Sequence, residues 1–190
     1  ADGEQLSRGL AADGTIHASP ATALCQLTDS IKDTAARDWM VEASRRRDQH
    51  RNGCLNARLP GPINGRDVVL AVREVTTEQT ILLVDGGNVG QWHHQLILDR
   101  YPGNWVTCGA SGVVGWGLPG ALAARALYPD RNILLLSGDG SFTFTVAELE
   151  CAARQKLPFV AVVADDEEWG ISVTGQIDRY GHELYSKLGP

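Results

Sequence analysis

The sequence predicts an α/β fold, a doubly wound parallel sheet with helices on both of its faces. Three runs of consecutive apolar residues, at 80–84, 132–136 and 159–164, have the length of buried strands. Segments with helical spacing alternate with these runs. Because strands that are apolar on both faces need helices on both sides, this alternation indicates a parallel sheet.

Residues 1–62 lack this alternation. Residues 21–43 have apolar side chains at helical spacing, which predicts one helix. Residues 45–51 form a basic run, which we interpret as a solvated helix end or a linker rather than a phosphate site. Residues 52–62 are rich in Gly, Pro and Asn, which is typical of a linker.

The remaining elements follow in order after residue 62. An apolar stripe predicts a helix at 67–74, and Pro119 suits the first turn of a helix at 119–127. Thr145 and Glu148 match a capping box, which predicts a helix at 146–155. The other predicted elements are a turn at 85–88, a helix at 93–100 and a short strand at 105–108.

Composition and charge narrow the classes of function. The formal net charge of −6 argues against nucleic-acid binding, which favours basic surfaces. No apolar run reaches the roughly 18 residues of a membrane span, and no secretory signal pattern opens the chain. We therefore expect a cytoplasmic protein that binds no membrane and keeps its four widely spaced cysteines reduced. His93 and His94 are a poor metal pair, because neighbours on a helix point in different directions.

Acidic residues follow the ends of predicted strands. Asp85, Asp139 and Asp166 each come just after an apolar run, and open α/β sheets bind ligands at the carboxyl ends of their strands. In the segment 138–141 (Gly-Asp-Gly-Ser), glycines let the backbone approach an anion, and a carboxylate suits Mg²⁺. The four carboxylates of 165–168 repel one another, and a cation compensates that repulsion. The alternatives are a plain turn at 138–141 and a solvated charge run at 165–168.

Residues 138–170 resemble the thiamine-diphosphate signature of the acetohydroxyacid synthase and pyruvate decarboxylase superfamily. That signature begins with Gly-Asp-Gly and ends with Asn after the next strand; here Asp166 follows Asp139 by 27 residues. Further similar segments are Ser141-Phe142, Glu148-Leu149, Leu157-Pro158, Trp169-Gly170 and the Gly-rich stretch 105–119. The resemblance implies a middle-domain tail at 1–48, a linker at 49–62, and a thiamine-diphosphate-binding domain at 63–190 that is incomplete at its C-terminus.

The resemblance implies a magnesium and diphosphate site. The metal ligands would be Asp139, the side chain of Asp166 and the backbone carbonyl of Glu168. The metal would bridge diphosphate oxygens, and the backbone N–H groups of Gly140 and Ser141 would bind the same diphosphate.

The resemblance also implies contacts with the rest of the cofactor. The Gly112 carbonyl accepts a hydrogen bond from the cofactor's amino group, Val114 supports its bent shape, and Asn88 helps to bind the diphosphate. The implied cofactor-binding residues are Asn88, Gly112, Val114, Gly138, Asp139, Gly140, Ser141, Trp169 and Gly170.

A reaction and partners are implied as well. Members of the superfamily decarboxylate 2-oxo acids or join carbon skeletons next to a carbonyl, so the expected substrate is a small 2-oxo acid or 2-hydroxy ketone. Their catalytic glutamate comes from an N-terminal domain of a partner subunit. We therefore expect no catalytic residue within these 190 residues, no turnover by this chain alone, and a homodimer or homotetramer whose active site lies between subunits.

Several positions depart from the superfamily pattern. Asp166 stands where Asn is usual, and Val114 is smaller than the usual residue. Segments 86–92 and 171–176 lack the Gln-His and Gln-Trp pairs of acetohydroxyacid synthases. These differences weaken the assignment to acetolactate chemistry and leave open another thiamine-diphosphate lyase or decarboxylase, of the 2-hydroxyacyl or benzoylformate type.

Two other classes of domain stay open. Gly115, Gly117 and Gly120 match the dinucleotide-binding pattern G-x-G-x-x-G, but that motif needs a strand leading directly into it, and residues 109–114 are turn-like. A non-catalytic domain that binds a cofactor for structural or regulatory reasons, or binds none, is the other alternative.

Overall fold

The computed structural model describes residues 13–31, 37–59, 61–97 and 101–189. The chain divides into two compact units, Ala1–Gln49 and His50–Pro190. All buried apolar side chains among the described residues belong to the second unit. The hydrophobic core and the sheet described below are therefore those of His50–Pro190.

Two helices replace the single one predicted at 21–43, which is wrong. Helix α1 spans Pro20–Ser30, and helix α2 spans Arg37–Asn56. The Ser19 side chain caps the start of α1 by accepting from the Thr22 N–H at 3.2 Å. Residues 32–36, over which the predicted helix would continue, lie outside the described ranges.

Helix α2 contains the basic run 45–51 and also residues 52–56, the first part of the segment interpreted as a linker. The Glu42 carboxylate pairs with Arg45 and with Arg46, each at 2.7 Å. Pairs at these spacings stabilise exposed helices, although each contributes only a few tenths of a kcal/mol. The composition of 52–56 concealed this helix, because Gly and Asn are tolerated where a long helix already runs.

Four strands form one parallel sheet in the second unit. The strands are β1 (Thr80–Asp85), β2 (Trp105–Thr107), β3 (Asn132–Gly138) and β4 (Val160–Ala164). Their spatial order is β2-β1-β3-β4, and every neighbouring pair is parallel. In this register Asp85 lies opposite Ser137, and Gly138 lies opposite Ala164. The carboxyl ends of the strands therefore meet at one edge.

Helices cover both faces of the sheet, which confirms the doubly wound α/β class. One face packs against α3 (Gly65–Val75) and α4 (Gly87–Leu96), and its buried strand residues are Leu82, Val84, Leu134 and Leu136. The other face packs against α5 (Gly117–Leu127), and its buried strand residues are Ile81, Leu83, Ile133 and Leu135. Because alternate residues of each central strand enter different cores, the strands are apolar throughout.

The helix that follows β1 begins earlier than predicted. Helix α4 starts at Gly87 rather than at residue 93, so only Gly86 remains of the turn predicted at 85–88. Gly86 has φ 120°, a conformation that favours glycine. Residues 98–100, at the end of the predicted helix, lie outside the described ranges.

The remaining helices follow β3 and β4. Helix α7 spans Glu148–Gln155, and the predicted capping box is wrong because no side chain caps this helix. Two helices were not predicted from periodicity: α6 spans Asp139–Phe144, directly after β3, and α8 spans Gly170–Tyr180. Both begin at the edge of the sheet where the strands end.

Candidate functional site

A cleft of about 1240 Å³ lies at the carboxyl ends of the four strands. The last residue of each strand lines it: Asp85, Thr107, Gly138 and Ala164. Every residue that the sequence assigned to a cofactor or metal lines the same cleft. The structure thus brings the whole predicted set together, while the role of each member stays a prediction.

The Gly-Asp-Gly-Ser segment forms the junction between β3 and α6. Gly138 ends the strand and Asp139 begins the helix, while Gly140 and Ser141 are buried in the first turn. A Cβ at Gly140 would lie 2.9 Å from the Trp169 ring, so no larger residue fits without displacing that ring. The absence of a side chain at Gly140 therefore lets the first turn of α6 pack directly against Trp169.

Three carboxyl groups converge beside this junction. Burial raises the pKa of Asp139 above its usual range, and the neighbouring Asp166 and Asp165 raise it further, against a hydrogen bond from the Gly140 N–H that lowers it. Asn88 donates to Asp166 at 3.5 Å. The sequence singled out Asp139 and Asp166 and missed the proximity of Asp165 to Asp139, because consecutive residues of a loop do not reveal which of them faces a neighbouring strand.

The acidic loop after β4 is held by the C-terminal segment. The Glu168 carboxylate pairs with the Lys187 ammonium at 2.7 Å, which also raises the pKa of Lys187. The Trp169 N–H donates to the Ser186 carbonyl, and the Leu188 N–H donates to the Glu167 carbonyl, each at 2.8 Å. These backbone bonds flank Glu168 on both sides without using its carbonyl.

A Gly-rich loop forms the opposite wall of the cleft. Strand β2 ends at Thr107, a single 3₁₀ turn covers Gly109–Ser111, and Gly112 follows with φ 61°. Val114 lines the cleft and is 42% exposed, so its side chain is available to a ligand. No strand leads into Gly115, so the structural context of a dinucleotide-binding motif is missing here.

Asp85 differs from the other acidic residues at the strand ends. Its carboxylate is only 3% exposed and accepts a hydrogen bond from the Gly117 N–H at 2.7 Å. Burial raises the pKa of Asp85, against the N–H groups of Gly117 and Gly115 and the hydroxyl of Ser141, which lower it. This carboxylate is therefore engaged with the protein.

Other sequence-based expectations concern metals, thiols and membranes. Among the described residues, no three His, Cys, Asp or Glu side chains are placed to hold a metal ion by themselves. All four cysteines are free thiols. Within the described ranges, no helix combines the length and apolar character that crossing a bilayer requires.

The residues of the cleft suit a ligand with a diphosphate group and a divalent cation. Carboxylate and carbonyl oxygens are hard ligands of the kind that Mg²⁺ prefers, and the glycine-containing segment 138–141 lines the cleft and suits a close approach of backbone to an anion. Together, the doubly wound sheet and this cleft define an α/β domain built to bind a diphosphate cofactor at its strand ends.

Comparison with known families identifies which cofactor-binding domain this is. Residues 85–189 match the family model described as thiamine pyrophosphate enzyme, C-terminal TPP binding domain, where thiamine pyrophosphate is another name for thiamine diphosphate. The chain belongs to this family of thiamine-diphosphate-dependent enzymes.

Curated relatives include enzymes of two kinds. Human 2-hydroxyacyl-CoA lyase 2 is 35% identical over 156 residues, which cover 80% of this chain and 24% of that protein. The acetolactate synthase isozyme 2 large subunit of Escherichia coli K12 is 30% identical over 137 residues, covering 70% and 24%. An acetolactate synthase large subunit of Mycobacterium tuberculosis is 28% identical over 129 residues, covering 68% and 24%. The chain spans about a quarter of the length of these relatives.

Proposed function

We propose that this chain binds thiamine diphosphate and Mg²⁺ in the strand-end cleft, as part of an acetolactate-synthase-like enzyme that acts on 2-oxo acids by decarboxylation, carboligation or both. The observation that supports this most strongly is the convergence of three separate segments, 112–114, 138–141 and 165–170, on one cleft. Each segment corresponds to a different part of the cofactor.

The acidic side of the cleft is the proposed metal and diphosphate site. Asp139, Asp166 and the backbone carbonyl of Glu168 bind Mg²⁺, and the ion pair with Lys187 draws the Glu168 carboxylate away from that role. Burial raises the pKa of Asp139 and repulsion from Asp166 and Asp165 raises it further; bound Mg²⁺ would relieve the repulsion. Asp165 stands beside these ligands and adds negative charge to the same site.

The glycine-rich elements hold the organic part of the cofactor. Gly138, Gly140 and Ser141 present backbone to the diphosphate, with Asn88 at its edge. Gly112 and Val114 face the rings from the opposite wall, and Trp169 and Gly170 line the floor between them. These residues are the proposed contacts of this chain with the cofactor.

Bound thiamine diphosphate supplies a nucleophilic carbon and an electron sink for chemistry next to a carbonyl. The residues of this chain would fix its geometry, hold the Mg²⁺ that neutralises its diphosphate and exclude water from the cleft. We place the catalytic glutamate outside this chain, on a partner subunit of a homodimer or homotetramer in the cytoplasm. We also propose that residues 1–48 end a middle domain, that 49–62 are a linker and that 63–190 are the cofactor domain.

Calorimetry of the purified protein tests the proposal. Thiamine diphosphate should bind with 1:1 stoichiometry only when Mg²⁺ is present, and Asp139→Asn should weaken that binding about tenfold or more, which corresponds to the loss of one charged ligand. NAD serves as the comparison ligand. Binding of NAD without binding of thiamine diphosphate would refute the proposal.

Cleavage of a 2-hydroxyacyl thioester is the second candidate reaction. Its support is specific: the relative at 35% identity is named a 2-hydroxyacyl-CoA lyase, and segments 86–92 and 171–176 lack the Gln-His and Gln-Trp pairs of acetolactate synthases. A turnover assay of the full-length protein with pyruvate and with a 2-hydroxyacyl-CoA separates the two. Release of CO₂ from pyruvate, with acetolactate or acetaldehyde as the other product, supports the first reaction, and release of an aldehyde from the 2-hydroxyacyl-CoA supports the second.

A further inference from the structure

Hydrogen bonds from two different elements hold the C-terminal end of the Gly-rich loop. The Gly117 N–H, at the start of α5, donates to the carboxylate of Asp85 at the end of β1, at 2.7 Å. The Gly115 carbonyl accepts from the hydroxyl of Thr145, just after α6, at 2.9 Å. The Gly115 N–H and the Ser141 hydroxyl also lower the pKa of Asp85. Asp85, Gly115, Gly117 and Thr145 are called the loop clamp below.

The backbone of the loop clamp leaves no room for a side chain at Gly115 or at Gly117. Gly115 is buried with φ 82°, and a Cβ there would lie 2.7 Å from the Cβ of Phe144 in α6. A Cβ at Gly117 would lie 2.6 Å from the Cβ of Asp85. The loop therefore rests directly on β1 and α6, without intervening side chains of its own.

We infer that Asp85 and Thr145 are positioning residues, which set the distance between the loop carrying Gly112 and Val114 and the helix start carrying Ser141. This inference rests on the proposed function, in which the first two residues meet the rings of thiamine diphosphate and the helix start meets its diphosphate. Neither clamp side chain needs to touch the cofactor, because Thr145 acts through the backbone of Gly115 and Asp85 acts through the backbone of Gly117.

Two substitutions loosen the loop clamp with little change of shape. Thr145→Val removes the hydroxyl that donates to the Gly115 carbonyl. Asp85→Asn replaces one acceptor oxygen by an NH₂ group that faces N–H donors, which leaves buried donors without an acceptor. The parts of the cleft that bind the two ends of the cofactor are then no longer held at a set separation. Each substitution should therefore weaken the binding of a ligand that spans both ends more than the binding of a ligand that occupies a single end.

The experiment measures two ligands in the full-length protein with Mg²⁺ present: thiamine diphosphate, which spans the cleft, and inorganic pyrophosphate, which occupies only the diphosphate end. Thr145→Val and Asp85→Asn should raise the dissociation constant of thiamine diphosphate about 10- to 100-fold and that of pyrophosphate less than about twofold. Thr145→Ser, which keeps the hydroxyl, should restore wild-type binding.

The matched control is Thr76→Val. Thr76 is 3% exposed, and its hydroxyl donates to the Val72 carbonyl at 2.7 Å, but it does not line the cleft. This change should leave both dissociation constants unaltered at equal folded fraction.

The outcomes separate the inference from the proposed function. If wild-type protein binds thiamine diphosphate and Thr145→Val binds it equally well, the inference is wrong and the proposed function stands. The inference also fails if the dissociation constants of both ligands rise by the same factor, or if Thr145→Ser binds thiamine diphosphate no better than Thr145→Val does. Wild-type protein that binds no thiamine diphosphate overturns the proposed function and this inference together.

Discussion

At the scale of single residues, the acidic groups at the strand ends divide according to their partners. Asp85 accepts from the Gly117 N–H at the start of α5, which occupies its carboxylate. Asp139 lies near two other carboxyl groups, those of Asp165 and Asp166, which together with burial raise its pKa. Position at the end of a strand predicted that these residues lie near one another, but it did not distinguish a structural carboxylate from a proposed metal ligand.

Asp166→Asn is expected to weaken magnesium binding about tenfold, because one negative charge is lost beside Asp139. Thiamine-diphosphate affinity should then depend less steeply on the magnesium concentration. Titration of cofactor binding across a magnesium series measures both effects. Asp178→Asn, an exposed carboxylate on α8 outside the cleft, is the matched control, and an unchanged magnesium dependence in Asp166→Asn would contradict the expectation.

His93 is the second residue whose environment the sequence did not reveal. Its side chain is fully buried, and neither ring nitrogen has a hydrogen-bond partner among the described residues. Its ring meets the rings of Trp105 and His94 edge-on, each with centroids 5.4 Å apart. Burial, helped by the nearby His94, lowers the pKa of His93 to about 4, from the usual 6.5.

This lowered pKa predicts a loss of stability in mild acid. The unfolded chain takes up a proton at His93 near pH 6.5, whereas the folded protein resists protonation until about pH 4. The contribution of neutral His93 to stability is therefore complete above pH 6.5, and it decreases as the pH falls from 6.5 to 4, by roughly 3 kcal/mol in total.

His93→Phe should remove this part of the pH dependence. Urea unfolding of both proteins at several values between pH 7 and pH 4.5 gives the difference in the free energy of unfolding, which should change steadily in favour of the variant as the pH falls. His94→Gln, which changes the half-buried neighbour, should retain most of the wild-type dependence. Parallel curves for wild type and His93→Phe would show that His93 does not titrate as described.

At the scale of elements, local sequence predicted strands better than helix boundaries. The three long strands were located because each is a continuous apolar run. Helix α6 has only six residues, too few for a period, so the sequence showed it only as a turn. Helix α8 does have a helical signal in the sequence, because Val173 and Ile177 are four residues apart and Gly181 follows them as the C-cap, with φ 78°. The sequence-based prediction did not include this helix.

The C-terminal end of helix α7 allows a test of backbone strain at a helix cap. Its C-cap, Lys156, has φ 55° and ψ 48° in the left-handed region, where a side chain is strained. Lys156→Gly should therefore raise the free energy of unfolding by about 1 kcal/mol. Arg154→Gly, inside the same helix, should lower it by about 1 kcal/mol, and thermal or urea unfolding measures both. A destabilising Lys156→Gly would show that the side chain contributes more than the strain costs.

At the scale of the whole molecule, the proposed ligands should stabilise the fold in which the cleft is assembled. Thiamine diphosphate at 100 times its dissociation constant, with Mg²⁺, should raise the free energy of unfolding by about 2.7 kcal/mol, because it binds only the folded state. Thermal unfolding with each ligand alone and with both measures this gain. Thiamine without its diphosphate is the control and should give little change, and an equal gain from thiamine would argue against the diphosphate site.

The sequence by itself determined the α/β class and the set of residues at the strand ends, because apolar periodicity and strand-end chemistry are local properties of the chain. Only the tertiary structure decided that Asp165 lies beside Asp139 and that Thr145, predicted as a helix cap, instead holds the Gly-rich loop. Asp85 and the Gly117 N–H that it binds are 32 residues apart in the chain. Such partners are chosen by the register of neighbouring strands and by the packing of α5 and α6, and no local pattern encodes that choice.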